Sequence, residues 1–270
     1  MATLVAFHAH PDDECLMTGG TLARAVDEGH RVVLVYATRG EVGEVPDGLL
    51  SPDEPLVERR MAEVARSAAA LGAHRLEFLG YRDSGMVGTP DNDDPRAFWQ
   101  ADVDEAAGRL AGILRDERAD VLLVYDENGN YGHPDHVQVH RVGVRAAELA
   151  DTPHVLEATV NRDTVRAFME AMVASGEATW DDMPDLDNPD VPFGMPDEII
   201  TTRVDVRPWA ERKVAAMRAH ETQVGDLAPF LAMPFAVFRE AMGTEFFIRR
   251  GVPAGHRDDD VFAGLDVAAG

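Results

Sequence analysis

The chain has 270 residues, 45% of them hydrophobic, and a formal net charge of −24 at pH 7. That length can bury a full core, and no apolar run approaches the roughly 20 residues a membrane-spanning helix needs. The negative charge repels phosphate backbones and anionic lipid, which argues against nucleic acid and membrane surfaces as partners, and its plainest role is solubility.

Leu4–Phe7 is a short apolar run and the first expected strand. A helix is predicted from about Thr18 to Glu28, stopped by Gly29. The β-branched run Arg31–Thr38 suits a buried parallel strand. Between Leu56 and Leu71, Val57, Met61, Val64, Ala65, Ala68 and Leu71 recur at helical spacing, and Gly72 ends the helix. Leu76–Leu79 is a third strand. Val103, Ala106, Ala107, Leu110, Ile113 and Leu114 mark an amphipathic helix, and Val121–Tyr125 a fourth strand. This alternation predicts an α/β fold, a Rossmann-like, mainly parallel sheet with helices on both faces. One domain is expected over residues 1–270: a core over 1–150, then a C-terminal part over 151–270 with an Asp- and Pro-rich loop at 177–197. Further strands are expected within Ile199–Val206 and at Phe246–Ile248, and helices near Trp209–His220 and Phe235–Met242. Phe230, Met233, Phe235 and Phe238 read as core.

The chemistry concentrates where apolar runs stop. His10-Pro11-Asp12-Asp13 follows the first strand, and Tyr131-Gly132-His133-Pro134-Asp135-His136 follows the fourth. Ligands of parallel sheets bind outside the carboxyl ends of the strands, so both boxes, with Thr38–Gly40 and Gly80–Asp83, should open onto one cleft. Two histidines and one carboxylate match the three protein ligands of a catalytic zinc, and acid and base groups remain over. The same set also suits ferrous iron. No G-x-G-x-x-G follows the first strand, which disfavours a dinucleotide. The lone Cys15 forbids an internal disulfide and suits a reducing compartment. Met1–Phe7 lacks the basic n-region of a signal peptide, so a cytoplasmic location is expected.

The boxes resemble those of the LmbE/PIG-L family of zinc-dependent N-deacetylases. So do Arg39–Glu44, Gly80–Met86 and Asp126–Asn130. The likeness runs in order over roughly residues 3 to 145 and returns at Met217–Gln223. It is nearest to the branch holding the N-acetylglucosaminyl-inositol deacetylase of mycothiol biosynthesis and the mycothiol conjugate amidase. The resemblance implies His10, Asp13 and His136 as metal ligands, with Zn2+ as the metal. It implies Asp12 as general base and His133 as the second acid/base group, with Tyr131 at the oxyanion. Asp135 would hold His133 charged and oriented, which requires residues 133 to 135 to lie in a turn before a helix. Arg60 and Asp83 would grip sugar or inositol hydroxyls. His8 and His140 are expected to support the site, and Cys15 to pack in the core.

The function these readings imply is removal of an N-acetyl group from an N-acetylglucosamine unit of a small glycoconjugate. Cleavage of mycothiol S-conjugates or deacetylation of an antibiotic sugar are the alternatives. A non-catalytic binding module of the same fold is disfavoured, because it would need neither Asp12 nor His133. The chain departs from the mycothiol deacetylase pattern after Glu44 and in its acidic 90s and 180s loops, which bears on the substrate. A homo-oligomer is compatible with the composition.

Overall fold

The computed structural model of the chain describes residues 1–176, 179–188 and 193–265. The first half runs β1 (Thr3–His8), a π-helical turn (Glu14–Thr18), α1 (Gly19–Asp27), β2 (Arg31–Tyr36), α2 (Leu56–Leu71), β3 (Arg75–Phe78), α3 (Val103–Glu117), β4 (Val121–Tyr125), a short α4 (Gly129–Gly132) and α5 (Pro134–Ala150). The second half adds β5 (His154–Thr159), α6 (Arg162–Ser175), β6 (Thr202–Asp205), α7 (Ala210–Ala219), α8 (Val224–Leu231), α9 (Phe235–Ala241) and β7 (Thr244–Arg249). All seven strands form one sheet in the order β3-β2-β1-β4-β5-β7-β6. The pairings among β1 to β5 are parallel, and β7 runs antiparallel to both β5 and β6. The mainly parallel, Rossmann-like sheet expected from the alternation is therefore present.

β1, β2 and β4 are nearly continuous runs of buried Val, Leu, Ala and aromatic residues, as strands covered on both faces must be. α2 stops at Gly72, whose φ of 79° is the left-handed cap that glycine adopts without penalty. α3 starts at Asp102, whose carboxylate accepts from the Glu105 amide. Right-handed crossovers put α1 and α2 on one face and α3 and α5 on the other. Accordingly α3 packs on α5, while α7 packs on α1 and α2. Gly143 lets α5 lie directly on the sheet, since a Cβ there would run into Val124.

The strand order turns back between β1 and β4. From β1 the chain winds outward to β2 and β3, then crosses to β4 on the other side of β1. The carboxyl ends of these two strands diverge into a crevice, the usual ligand position of such sheets. Both sequence boxes leave the sheet at this place.

The C-terminal part completes the same sheet with β5, β7 and β6. β5 and α6 were not anticipated, because His154 and Glu157 interrupt the apolar pattern that marks the other strands. Phe238 is buried as expected, but Phe235 is 44% exposed at the start of α9 and so is not core. The acidic loop 177–197 lies partly outside the described residues. Within the described part, Leu186 is buried and Asp187 pairs with Arg166 at 2.8 Å. No helix among the described residues is long and apolar enough to cross a membrane.

One buried ion pair ties the C-terminal part to the core. Lys213 of α7 lies 2.6 Å from Glu245 of β7, with both side chains under 4% exposed. Glu245 also accepts from the amides of Gly20 and Thr21 at the start of α1, where a carboxylate meets the positive end of the helix dipole. Lys213→Met should therefore cost about 3 kcal/mol, the low end for breaking a buried pair, because the two amides still hold Glu245. Urea denaturation checks this; an unchanged midpoint would mean that the pair is neutral.

Candidate metal centre

The first box is shaped by what supports it. The buried His8 ring is held between Tyr125 Oη (2.9 Å from Nδ1) and Thr18 Oγ1 (3.3 Å from Nε2), the supporting role expected of it. After His10 the chain turns at Pro11, and Asp12 takes φ 114°. That conformation is costly for a residue with a Cβ and persists only where the surroundings impose it. Asp13 folds back to accept from its own loop, 2.8 Å from the His10 amide. Its carboxylate then lies 3.6 Å from His10 Nδ1 and 3.3 Å from His136 Nε2. Cys15, in the turn that follows, is buried as expected.

The second box is anchored by Asp126, at the end of β4. Its carboxylate accepts from the amides of Asn128 (3.0 Å) and Asn130 (2.9 Å) and from Thr159 Oγ1 (2.5 Å). The turn so formed carries Tyr131, 42% exposed, with its hydroxyl 3.5 Å from His136 Nε2. His133 is the residue before α5, and Pro134 takes the first helical position, where no amide is needed. Residues 133 to 135 thus form the turn that a His133–Asp135 contact requires.

The contact itself differs from the expectation. His133 Nδ1 accepts from the backbone amide of Asp135 at 3.1 Å. The Asp135 carboxylate goes elsewhere: to the amide (2.9 Å) and hydroxyl of Ser84, and to His10 Nε2 at 3.1 Å. With Nδ1 accepting, the ring proton of His133 sits on Nε2. Burial, reinforced by His10 and His136, pushes His133 down to about 3. His133 is a neutral donor here, not a charged imidazolium held by Asp135.

The rings converge tightly. His10 and His133 have centroids 4.7 Å apart, and His10 and His136 5.4 Å apart. The ligand atoms of His10, His133 and His136 all lie within 4.8 Å of one another, enough to hold a metal ion. His10, Asp83 and Asp135 make a second such grouping. The expected set His10, Asp13 and His136 is linked through Asp13, whose carboxylate faces both rings. Asp135 accepts at His10 Nε2 and leaves Nδ1 toward Asp13, the carboxylate–histidine support usual behind metal ligands. Burial pushes His136 down to about 4, so it is neutral, and its buried Nδ1 has no hydrogen-bond partner among the described residues. Although burial pushes Asp13 up, His136 and His10 hold it below the usual carboxylate range. Neutral imidazole and ionised carboxylate are the states that coordination demands, and His136 and Asp13 meet them. His10, although burial pushes it down, is held well above the usual imidazole range by Asp83, Asp135 and Asp13, so a cation would have to displace its proton.

Asp12 stands beside this set. Burial, partly offset by the Arg60 guanidinium, raises its carboxyl to about 7. Arg60 itself is 2% exposed. It donates to Gly40 O (2.8 Å) and Pro11 O (2.6 Å) and lies 3.4 Å from Asp12. It braces the loop under Asp12, an environment different from the open substrate contact expected. Asp83 is also buried, 3.5 Å from His10 Nε2, and accepts from the Gly85 amide at 2.9 Å. Ser84, Asp126, Glu14 and His220 also bond to residues of the site, and sequence reading gave none of them a role, although Glu14 stood in the first box of the resemblance. Ser84 and Asp126 stood inside the quoted segments, and His220 inside Met217–Gln223, so the segments carried a signal that single residue types did not.

Residues 5–147 match the family PIG-L, described as GlcNAc-PI de-N-acetylase. The chain is 48% identical to a protein of Acidothermus cellulolyticus named 1D-myo-inositol 2-acetamido-2-deoxy-alpha-D-glucopyranoside deacetylase, over 98% of this chain and 96% of that one. The chain belongs to the PIG-L family. A second PIG-L relative of the same name, from Geodermatophilus obscurus, is 44% identical over 97% of each chain. The PIG-L fold recurs in the solved N,N'-diacetylchitobiose deacetylase of Pyrococcus horikoshii, at 22% identity and a TM-score of 0.59, over 92% of this chain and 83% of that one.

Proposed function

We propose that the chain is a zinc-dependent N-deacetylase that hydrolyses the acetamide of an N-acetylglucosamine unit joined to inositol. The observation that carries this reading is the half-buried carboxylate of Asp12 beside the His10–Asp13–His136 donors, with neutral His133 packed edge-on against His10. The names borne by relatives sharing nearly the whole length support the substrate class.

A divalent ion held by His10, Asp13 and His136 would acidify water and polarise the acetamide carbonyl. Asp12 accepts the proton of the attacking water, a task suited to a carboxyl whose burial lifts it toward neutral pH. His133, protonated on Nε2, donates to the oxygen that gains charge as the carbonyl becomes tetrahedral. Tyr131 offers its hydroxyl from the exposed turn to the same oxygen. The proton on Asp12 then passes to the leaving amine, and acetate and the free glucosamine part. Asp135 orients His10 through Nε2 and His133 through its amide. Asp83, buried beside His10, accepts from a sugar hydroxyl where the substrate reaches that depth. Arg60 acts on the substrate only through the loop it braces. The single buried cysteine supports a reducing, cytoplasmic setting.

The test is acetate release from metal-replete protein offered N-acetylglucosaminyl-inositol, free N-acetylglucosamine, and thiol conjugates carrying the same sugar. The inositol substrate should have the highest kcat/KM. Equal turnover of free N-acetylglucosamine would remove inositol from the reading, and amine release from the conjugates without acetate would replace deacetylase by amidase.

A further inference from the structure

No step of the proposed chemistry uses His220, yet its side chain is fully buried, with Nε2 2.7 Å from Glu14 Oε1. It belongs to the Met217–Gln223 segment and meets a residue 206 positions away. Glu14 distributes its carboxylate over three elements. Oε1 accepts from His220 at the end of α7 and from the Ser67 hydroxyl of α2. Oε2 accepts from the amide of Asp12 at 2.9 Å.

That last contact gives the cluster its meaning. The Asp12 backbone sits at φ 114°, a conformation that a residue with a Cβ leaves unless something outside the turn holds it. One carboxylate oxygen on the amide would not suffice if Glu14 could rotate. Two donors from separate helices, both acting on the other oxygen, prevent that rotation. A core ion pair serving stability alone would have no reason to end on the amide of a residue held at positive φ beside the metal-ligand candidates. We infer that His220, acting through Glu14, is a positioning residue that holds the backbone of Asp12 in its strained conformation and so aims the carboxylate. The inference rests on reading Asp12 as the general base.

A double-mutant cycle with His220→Gln and Asp12→Asn tests it, following kcat, KM, bound metal and thermal melting. His220→Gln should keep its metal and a KM within a few-fold, while kcat falls on the order of 10-fold or more, as small misplacements of reacting groups do. In the Asp12→Asn background the same substitution should change the residual kcat little, because the group it positions is already gone. An equal loss in both backgrounds, or an unchanged kcat, overturns the inference. If His220→Gln does not fold, Ser67→Ala carries the cycle, since it removes one donor to the same Glu14 oxygen and should show the same dependence on Asp12. The Asp12→Asn variant alone tests the base, so failure of that reading is seen separately from failure of the His220 role.

Discussion

His136→Ala should lose the bound divalent ion and, with it, all measurable deacetylation. His136 Nε2 faces Asp13 at 3.3 Å, and its ring packs on Tyr125 with centroids 4.6 Å apart. Removing it leaves one imidazole and one carboxylate, too few to retain a zinc that ordinarily takes three protein ligands. The ring sits in the first turn of α5, so the helix should persist, and the cavity should cost about 2–4 kcal/mol, as large-to-small changes do. Metal analysis should fall from about one ion per chain to background, with a circular dichroism spectrum like that of the parent. His133→Ala decides between the two histidine groupings around His10. If His133 is only a donor to the oxyanion, that variant keeps its metal and loses kcat. A full metal complement in His136→Ala, or an empty site in His133→Ala, would overturn the ligand assignment.

Asp12→Asn should retain the metal and lower kcat by about 10²- to 10⁴-fold, the range general-base catalysis supplies. The amide keeps the shape of the carboxylate but cannot take a proton. The same group sets the pH dependence. A base works ionised, so kcat/KM of the parent should rise with pH as Asp12 loses its proton. Burial places that ionisation near 7, and a neighbouring cation moves it lower because it favours the carboxylate. The acid limb should therefore have its midpoint at about 7 or below, and it should vanish in Asp12→Asn. Turnover within a few-fold of the parent, with metal bound, would make Asp12 a structural residue.

The two boxes were legible because their chemistry is local. Imidazole and carboxylate stand within a few residues of each other at the ends of strands whose burial on both faces leaves unbroken apolar runs. β4 and α2 have the boundaries that hydrophobic spacing and Gly72 predict. β5 was not legible, because Glu157 is there to meet Arg250 at 2.7 Å, and a strand that pairs charges loses its periodic signature.

The sequence by itself determined the residue types at the centre, the strand ends that carry them and the parallel sheet that gathers those ends on one edge. Only the tertiary structure decided what each group faces. It turned the Asp135 carboxylate to Ser84 and His10 and left His133 neutral. It drew Arg60 beneath Asp12, and it brought His220 to Glu14 across 206 residues. The physical reason is that side-chain direction and charge state depend on burial and on partners distant in the chain. Hydrophobic periodicity reports which face of an element is buried, but not which polar group waits there.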